Sequence, residues 1–287
     1  MPKFIMLVGL PASGKDTWAK KYLVEHSDTK MFSSDAIRKE LYGSEEIQGV
    51  PNEIFSRMKN RTIEALKEGY SVIYNATNVS YKDRRDILNQ LKAIKKVDVE
   101  ITARIFAVPI KTCLMRNAKR ERYVPVYVYE KMLRRWQTPC YWEGFSTIEV
   151  DYNDAIENYE HYRKRMMDFD QQNHHHSKTL GQHCLAASAY LAEKGNDYSF
   201  LAWVMKFHDI GKLFTKSEPD ENGDCHYYSH ENYGAYITLL CDGLESSQLV
   251  TYHMIPYFKQ NEVWRKRMGE NFWNKLMIMN EADKAAH

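Results

Sequence analysis

"FIMLVGLPASGKDTWAKKY", residues 4–22, decides the fold of the first half of the chain. The apolar run 4–10 reads as a buried strand, Gly9-x-x-x-x-Gly14-Lys15 follows it, and the residues beyond read as a helix to about 26. Glycines at these positions let backbone N–H groups wrap a polyphosphate. The helix start adds partial positive charge, and Lys15 bridges the outer phosphates. In a strand-loop-helix context the pattern points to nucleotide binding rather than to a glycine-rich turn, with Gly9, Ala12, Ser13, Gly14, Lys15, Asp16 and Thr17 as the expected ATP contacts. Asp16 stands where such a loop normally carries a hydroxyl. A carboxylate in a first helical turn is favoured by the dipole and suits Mg²⁺ as a hard oxygen ligand, while Thr17 still offers a hydroxyl.

Outward from this loop the first half alternates. Strands are expected at 30–34, 71–75 and 99–108, and helices at "DAIRKELYG" ending at Gly43, at Pro51 to Gly69, at 79–96, and at a pair split by Val124-Pro125. Such alternation gives a parallel sheet with helices on both faces, an α/β fold. After about residue 150 the pattern is helical with few strand candidates, so the second domain is expected to be all-α. The boundaries read as 1–150, a connecting helix and linker over 151–170, and 171–287, with "DFDQQNHHHSK" (168–178) as the junction.

Composition narrows the class. The chain has 287 residues, a charged fraction of 27% and no apolar run long enough to cross a bilayer. The N-terminus lacks a secretory pattern, and the five cysteines form no C-x-x-C pair, so a cytoplasmic protein with reduced thiols is expected, with no membrane partner. The net charge of +2 hides an asymmetry. Residues 1–150 hold 26 Lys and Arg against 18 Asp and Glu, and the remainder 14 against 20. Nine of the eleven histidines lie after residue 170.

Two further segments bear on the first half. In "SSDAIRKE", Asp35 falls at a strand-to-helix junction and Arg38 one turn later; the second strand is expected beside the first, which turns its C-terminal end toward the phosphate loop. An aspartate there can accept a proton from an attacking hydroxyl, and an arginine at i+3 can hold an acceptor phosphate. A helix cap and a surface arginine are the plainer alternative. Residues 111–135 carry eight basic residues against two acidic, with Arg116 and Arg120 at i and i+4, expected on one helix face, where a lid over a transferring phosphoryl would fold.

"GLPASGKDTWA", "SSDAIR", "ATN" and "RNAKRERYVPVYVYEKM" together resemble the kinase domain of the phage polynucleotide 5′-kinases over roughly 1–150. The resemblance implies that Lys15 and Thr17 hold ATP phosphates, Asp35 is the general base on a 5′-hydroxyl, Arg38 contacts the acceptor's 3′-side phosphate, and Arg116 and Arg120 are lid arginines. Mg²⁺ is the implied cofactor. Two positions depart from the pattern: Asp16, and Asn75 with Ala76, where related kinases carry an acid near the strand end.

In the second half "HDIGK" (208–212) leads. Adjacent His208 and Asp209 near a helix end can share one metal, with Asp209 able to bridge to another; His183 and Asp283 complete a mixed nitrogen and oxygen set that suits Mn²⁺, Fe²⁺, Co²⁺ or Ni²⁺. The order H…HD…D resembles the HD-domain metal-dependent phosphohydrolases, which are all-α. His230 and His253 resemble the extra ligands of two-metal members; contact with a substrate phosphate is the alternative, so one or two ions fit. Lys212 is read as neutralising the scissile phosphate, a surface lysine being the alternative, and His176 as lining the pocket. His226 carries no assignment.

The two resemblances together imply a bifunctional end-healing enzyme. It would phosphorylate 5′-hydroxyl ends of RNA or DNA and remove or open 3′-phosphate or 2′,3′-cyclic phosphate ends, with a separate RNA ligase as the partner it would serve. The rivals are a small-molecule or nucleotide kinase fused to an HD nucleotidase, an ATP-binding sensor gating the hydrolase, and a nucleic-acid-binding module with vestigial sites.

Overall fold

The structure is a computed structural model that describes residues 1–94, 97–152, 158–174, 177–259 and 261–286. The chain divides into two compact units, Met1–Tyr129 with Pro139–Ala155, and Glu130–Thr138 with Ile156–His287. None of the described helices is long and apolar enough to cross a membrane.

The first unit is built on five parallel strands, β1 (Lys3–Val8), β2 (Thr29–Ser33), β3 (Ser71–Asn75), β4 (Glu100–Phe106) and β5 (Thr147–Asp151), in the order β2-β3-β1-β4-β5. Every neighbouring pair is parallel; Met6 stands opposite Tyr74 on one side and Ala103 on the other. β1 is buried from Phe4 onward and β3 throughout, as continuous apolar strands covered on both faces must be. The helices are α1 (Lys15–Glu25), α2 (Ser34–Tyr42), α3 (Pro51–Lys67), α4 (Tyr81–Lys92) and α5 (Ile110–Asn117), followed by α6 (Val126–Leu133). Ile5, Leu7, Ile73 and Phe106 pack with Ala19 of α1, and Trp18, Tyr22 and Leu23 close over them.

Two features differ from the sequence expectation. β2 is not beside β1, because β3 lies between them. β3 is buried along its whole length and takes two neighbours, whereas β2 is largely half-exposed and takes the edge. β5 was not anticipated: "TIEVD" has only Ile148 and Val150 as apolar residues. It is an edge strand whose Glu149 pairs with Arg104 of β4 at 2.5 Å, the charged pattern that shields sheet edges. Since all strands run one way, the loops after β1 to β5 meet at one edge, where α/β sheets bind ligands.

The second unit is helical: α7 (Tyr159–Met167), α8 (Leu180–Glu193), α9 (Ser199–Met205), α10 (Lys212–Thr215), α11 (His230–Cys241), α12 (Leu244–Tyr252), α13 (Asn261–Met268) and α14 (Glu270–Ala285). α8 starts in a capping box, with Thr179 accepting from Gln182 N and the Gln182 side chain accepting from Thr179 N. α8 packs on α7, α9 and α14, and α11 on α12 and α10. Gly211 needs its missing side chain here, since a Cβ would stand 1.9 Å from the His230 carbonyl oxygen and 2.6 Å from Gly234 N. That backbone-to-backbone contact seats the turn after α9 against α11.

Candidate functional site

The phosphate loop spans Gly9 to Lys15. Ala12 (φ 59°) and Gly14 (φ 98°) are left-handed, and such alternation makes a concave nest of N–H groups at the start of α1. Ala12 is one of the few non-glycine residues held in this region, which is strain expected where a loop is shaped for binding. Gly9 lies under the loop, where a Cβ would meet Ser13 Oγ at 2.8 Å and Phe106 at 3.2 Å. Lys15 Nζ donates to the carbonyls of Gly9 (2.9 Å) and Leu10 (2.6 Å) and to Ser13 Oγ (3.3 Å). Burial lowers its pKa to about 8, with the nearby Asp16 carboxylate opposing that shift.

Asp16 and Thr17 are exposed at the loop's mouth. Asp16 Oδ1 accepts from Asn75 Nδ2 at 2.7 Å, so the aspartate in the loop is joined to the amide at the end of β3. The "ATN" segment after β3 braces the loop. Thr77 O accepts from Gly9 N at 3.1 Å, and Asn78, left-handed at φ 48°, donates to Leu7 O at 2.7 Å. A fully buried bidentate pair of Arg84 with Glu143 supports Asn78 in turn, with Arg84 donating to its carbonyl at 3.0 Å.

A cavity of about 660 Å³ opens over the loop, lined by residues 12–18, Lys21, Arg116, Arg120 and Asp151. Arg116 and Arg120 thus share one cavity but not one helix face. α5 ends at Asn117, whose side-chain amide donates to Val124 O (2.8 Å) and accepts from Val124 N (3.0 Å). This clasp closes residues 118–123 into a loop and leaves Arg120 in a turn. Asp35, the second residue of α2, holds Arg38 at 2.5 Å and also Arg122 at 2.8 Å. The sequence reading missed Arg122, Asn78 and Asp151. Asp151 escaped with its strand, since β5 carries too little apolar pattern to be read; Arg122 was hidden in a run of like charges.

In the second unit, the predicted ligands converge. His183 comes from α8, His208 and Asp209 from the turns between α9 and α10, His230 from the first position of α11, His253 from just beyond α12, and Asp283 from α14. All six are buried. His208 and Asp209 were expected near a helix end, but α9 stops at Met205, and the pair stands in hydrogen-bonded turns beyond it. Asp209 divides its oxygens. Oδ1 lies 3.1 Å from His230 Nε2 and 3.4 Å from His253 Nε2; Oδ2 lies 3.7 Å from His183 Nε2 and 3.6 Å from His208 Nε2. Asp283 Oδ1 lies 2.9 Å from His183 Nε2 and 3.3 Å from His208 Nε2, and its Oδ2 accepts from Tyr257 at 2.8 Å.

The imidazoles are oriented from behind. His208, His230 and His253 each direct Nδ1 to a backbone carbonyl, of Met205 (2.9 Å), Tyr227 (2.8 Å) and Val250 (2.8 Å). With Nδ1 as donor, Nε2 carries the lone pair and points inward, as in metal-ligating histidines. The buried Nε2 atoms of His230 and His253 make no hydrogen bond among the described residues, a cost met when a cation takes their lone pairs. Two groups have ligand atoms close enough to hold an ion, His183 with His208 and Asp209, and Asp209 with His230 and His253. Burial pushes the Asp209 carboxyl up, but Lys212, His208 and His230 outweigh it and hold it well below the usual range. Asp283 is likewise held down, burial being outweighed by the His183 and His208 hydrogen bonds.

Lys212 is buried and places Nζ 2.7 Å from Asp209 Oδ2 and 3.0 Å from Gln171 Oε1. Tyr257 and Gln171 join the site with no motif to announce them. His174 pairs with Asp224, and His226 lies 3.0 Å from Asp220. The expectation for His176 falls outside the described residues.

Comparison with known proteins bears mainly on the first unit. Residues 4–139 match the family model described as an AAA domain. The L-seryl-tRNA(Sec) kinase of Methanococcus maripaludis is 29% identical over 166 residues, which cover 53% of this chain and 62% of that protein's length. A chain in the structure of the Pnkp1/Rnl/Hen1 RNA repair complex is 24% identical, covering 46% of this chain and 42% of its own at a TM-score of 0.41. A fungal RNA kinase structure is 15% identical over 55% of this chain and 76% of its own, at a TM-score of 0.42. The first unit is a P-loop α/β domain, and an all-helical region with a buried histidine and aspartate cluster follows it.

Proposed function

We propose that this protein heals nucleic-acid ends, as an ATP-dependent kinase of 5′-hydroxyl ends in its first unit and a metal-dependent phosphohydrolase of 3′-phosphate or 2′,3′-cyclic phosphate ends in its second. The observation that carries the reading is the pairing, in one chain, of a phosphate loop under a cavity lined by Arg116 and Arg120 with a buried aspartate whose two oxygens face separate pairs of imidazoles. Similarity to a tRNA-linked kinase supports phosphoryl transfer near RNA.

In the first unit Lys15, the loop amides, Arg116 and Arg120 hold the triphosphate and offset the charge that spreads over the γ-phosphoryl oxygens. Asp16 and Thr17 would hold Mg²⁺, and the ion would supply further neutralisation of the phosphates. Asp35 takes the proton of the acceptor hydroxyl. That oxygen forms a bond to the γ-phosphorus as the bond to the β-bridging oxygen breaks, and ADP leaves. Arg38 grips the phosphate beside the acceptor hydroxyl.

In the second unit His183, His208, Asp209 and Asp283 would hold one divalent transition ion, and Asp209, His230 and His253 a second. Such ions supply Lewis-acid charge on a phosphoryl oxygen and activation of water. Lys212 fixes Asp209 Oδ2, and Tyr257 orients Asp283.

The test is label transfer from γ-labelled ATP to a 5′-hydroxyl oligonucleotide, with nucleosides and small alcohols as competitors. Transfer to the oligonucleotide, lost in Lys15→Ala and Asp35→Ala, is expected. Transfer to the small alcohols alone would move the assignment to a metabolite kinase. Bound ATP without transfer to any acceptor would make the loop a sensor.

A further inference from the structure

Beyond Arg122 stand two large aromatic side chains turned to solvent, Tyr123 at the end of the loop and Tyr127 in the first turn of α6. Tyr123 is 56% exposed and Tyr127 70%, with Met115 and Val126 exposed beside them in sequence. Soluble surfaces seldom gather large apolar groups this closely without a use. The segment 111–129 holds Lys111, Arg116, Lys119, Arg120 and Arg122 against Glu121 alone, so whatever covers it carries negative charge.

The platform is held in place from both ends. Asn117 binds both backbone polar groups of Val124, closing the loop at its base. Tyr129 of α6 is buried and donates to Pro11 O at 3.2 Å, which fixes the start of that helix against the phosphate loop. Arg122 Nη1 is 2.8 Å from Asp35 Oδ2, which ties the residue before Tyr123 to the aspartate assigned as base. Exposed aromatic rings that follow a run of cations, on a segment fixed at both ends, match the way proteins grip single strands. Bases stack on the rings and phosphates meet the cations.

We propose that Tyr123 and Tyr127 form a stacking surface for the bases of a single-stranded nucleic acid, just beyond the nucleotide whose hydroxyl is phosphorylated. The proposal rests on the polynucleotide-kinase reading of the first unit and deepens it. It makes the preferred acceptor a strand with unpaired bases, not a mononucleotide or a duplex end.

The experiment is fluorescence anisotropy of a labelled 5′-hydroxyl 12-mer and of the same backbone made abasic, with the full chain as wild type, Tyr123→Ala/Tyr127→Ala and Tyr123→Phe/Tyr127→Phe. The alanine pair should bind the base-bearing strand about 10- to 100-fold more weakly. It should bind the abasic strand as the wild type does and phosphorylate a nucleoside 3′-phosphate at the wild-type rate; the phenylalanine pair should bind normally. An unchanged affinity for the base-bearing strand in the alanine pair would overturn the proposal, as would an equal loss on both strands. An unchanged strand affinity with lost self-association in sedimentation would assign the tyrosines to a protein contact. Base-dependent binding without label transfer to any acceptor would leave the stacking surface standing and remove the kinase reading beneath it.

Discussion

The two candidate sites are built from opposite materials. The phosphate loop works mainly through backbone: left-handed turns at Ala12 and Gly14, amides at the start of α1, and a single buried lysine, with Asp16 and Thr17 open to solvent. The histidine cluster is made of side chains alone, six of them, all buried and drawn from elements scattered over about a hundred residues. A backbone site must be contiguous in sequence, and it tolerates substitution wherever only the N–H matters. A side-chain site can be dispersed, but each member is fixed by what lies behind it. The contrast predicts that lesions in the cluster act sharply and lesions around the loop act by degree.

Asp209→Asn should have the largest effect. Even outer partners of metal ligands cost about 10- to 100-fold, so losing the carboxylate that faces all four imidazoles should reduce phosphate release on the order of 10³-fold or more. Elemental analysis of the purified variant should find the bound transition metal gone, while ATP-dependent transfer stays as in the wild type. Lys15→Ala should do the reverse, reducing transfer on the order of 10²- to 10³-fold and sparing phosphate release. A variant that removed both activities together would erase the distinction between the sites.

Gly211→Ala tests whether the cluster is fixed from behind. The added methyl would stand 1.9 Å from the His230 carbonyl, so α11 must shift. A destabilisation of about 1–3 kcal/mol is expected in denaturant titration, with metal affinity falling further than stability alone explains. Unchanged metal affinity would show that the cluster adapts to displacement of α11.

Smaller effects belong to the loop. Lys15 is held to about 8 by burial, so in the free protein it is charged below that pH and neutral above it. A bound polyphosphate favours the charged form, and ATP affinity should therefore be flat below pH 8 and weaken by about tenfold by pH 9, with proton uptake on binding above pH 8. Calorimetry in buffers of different ionisation enthalpy would detect that proton, and Lys15→Arg should remove the slope. Asn75→Ala removes the donor to Asp16 and should raise the Mg²⁺ requirement by about tenfold, the lower end of what one hydrogen bond to a charged group contributes. A Mg²⁺ titration that does not move would separate Asp16 from metal binding.

What the sequence disclosed follows the same division. The loop could be read from one stretch because its glycines, lysine and flanking strand and helix are adjacent, and the apolar strands β1 and β3 announced the sheet. β5 escaped because an edge strand with Glu149 and Asp151 has too little apolar pattern to register. The place of β2 escaped because strand order depends on which strands need two covered sides, not on local propensity. In the cluster, "HDIGK" was visible as a pair plus a glycine, and the more distant candidate residues were picked out by their order along the chain. Tyr257, Gln171 and the carbonyls behind the imidazoles were not visible, since each acts through a contact that only packing creates.

The most direct measurement is mass spectrometry of one short RNA bearing a 5′-hydroxyl and a 2′,3′-cyclic phosphate, after incubation with the protein, ATP, Mg²⁺ and Mn²⁺, beside Lys15→Ala and Asp209→Ala. The account predicts a phosphate gained at the 5′ end and a cyclic phosphate opened or lost at the 3′ end, the first absent only in Lys15→Ala and the second absent only in Asp209→Ala. An RNA left unchanged at both ends by an ATP-binding, metal-loaded protein would contradict it.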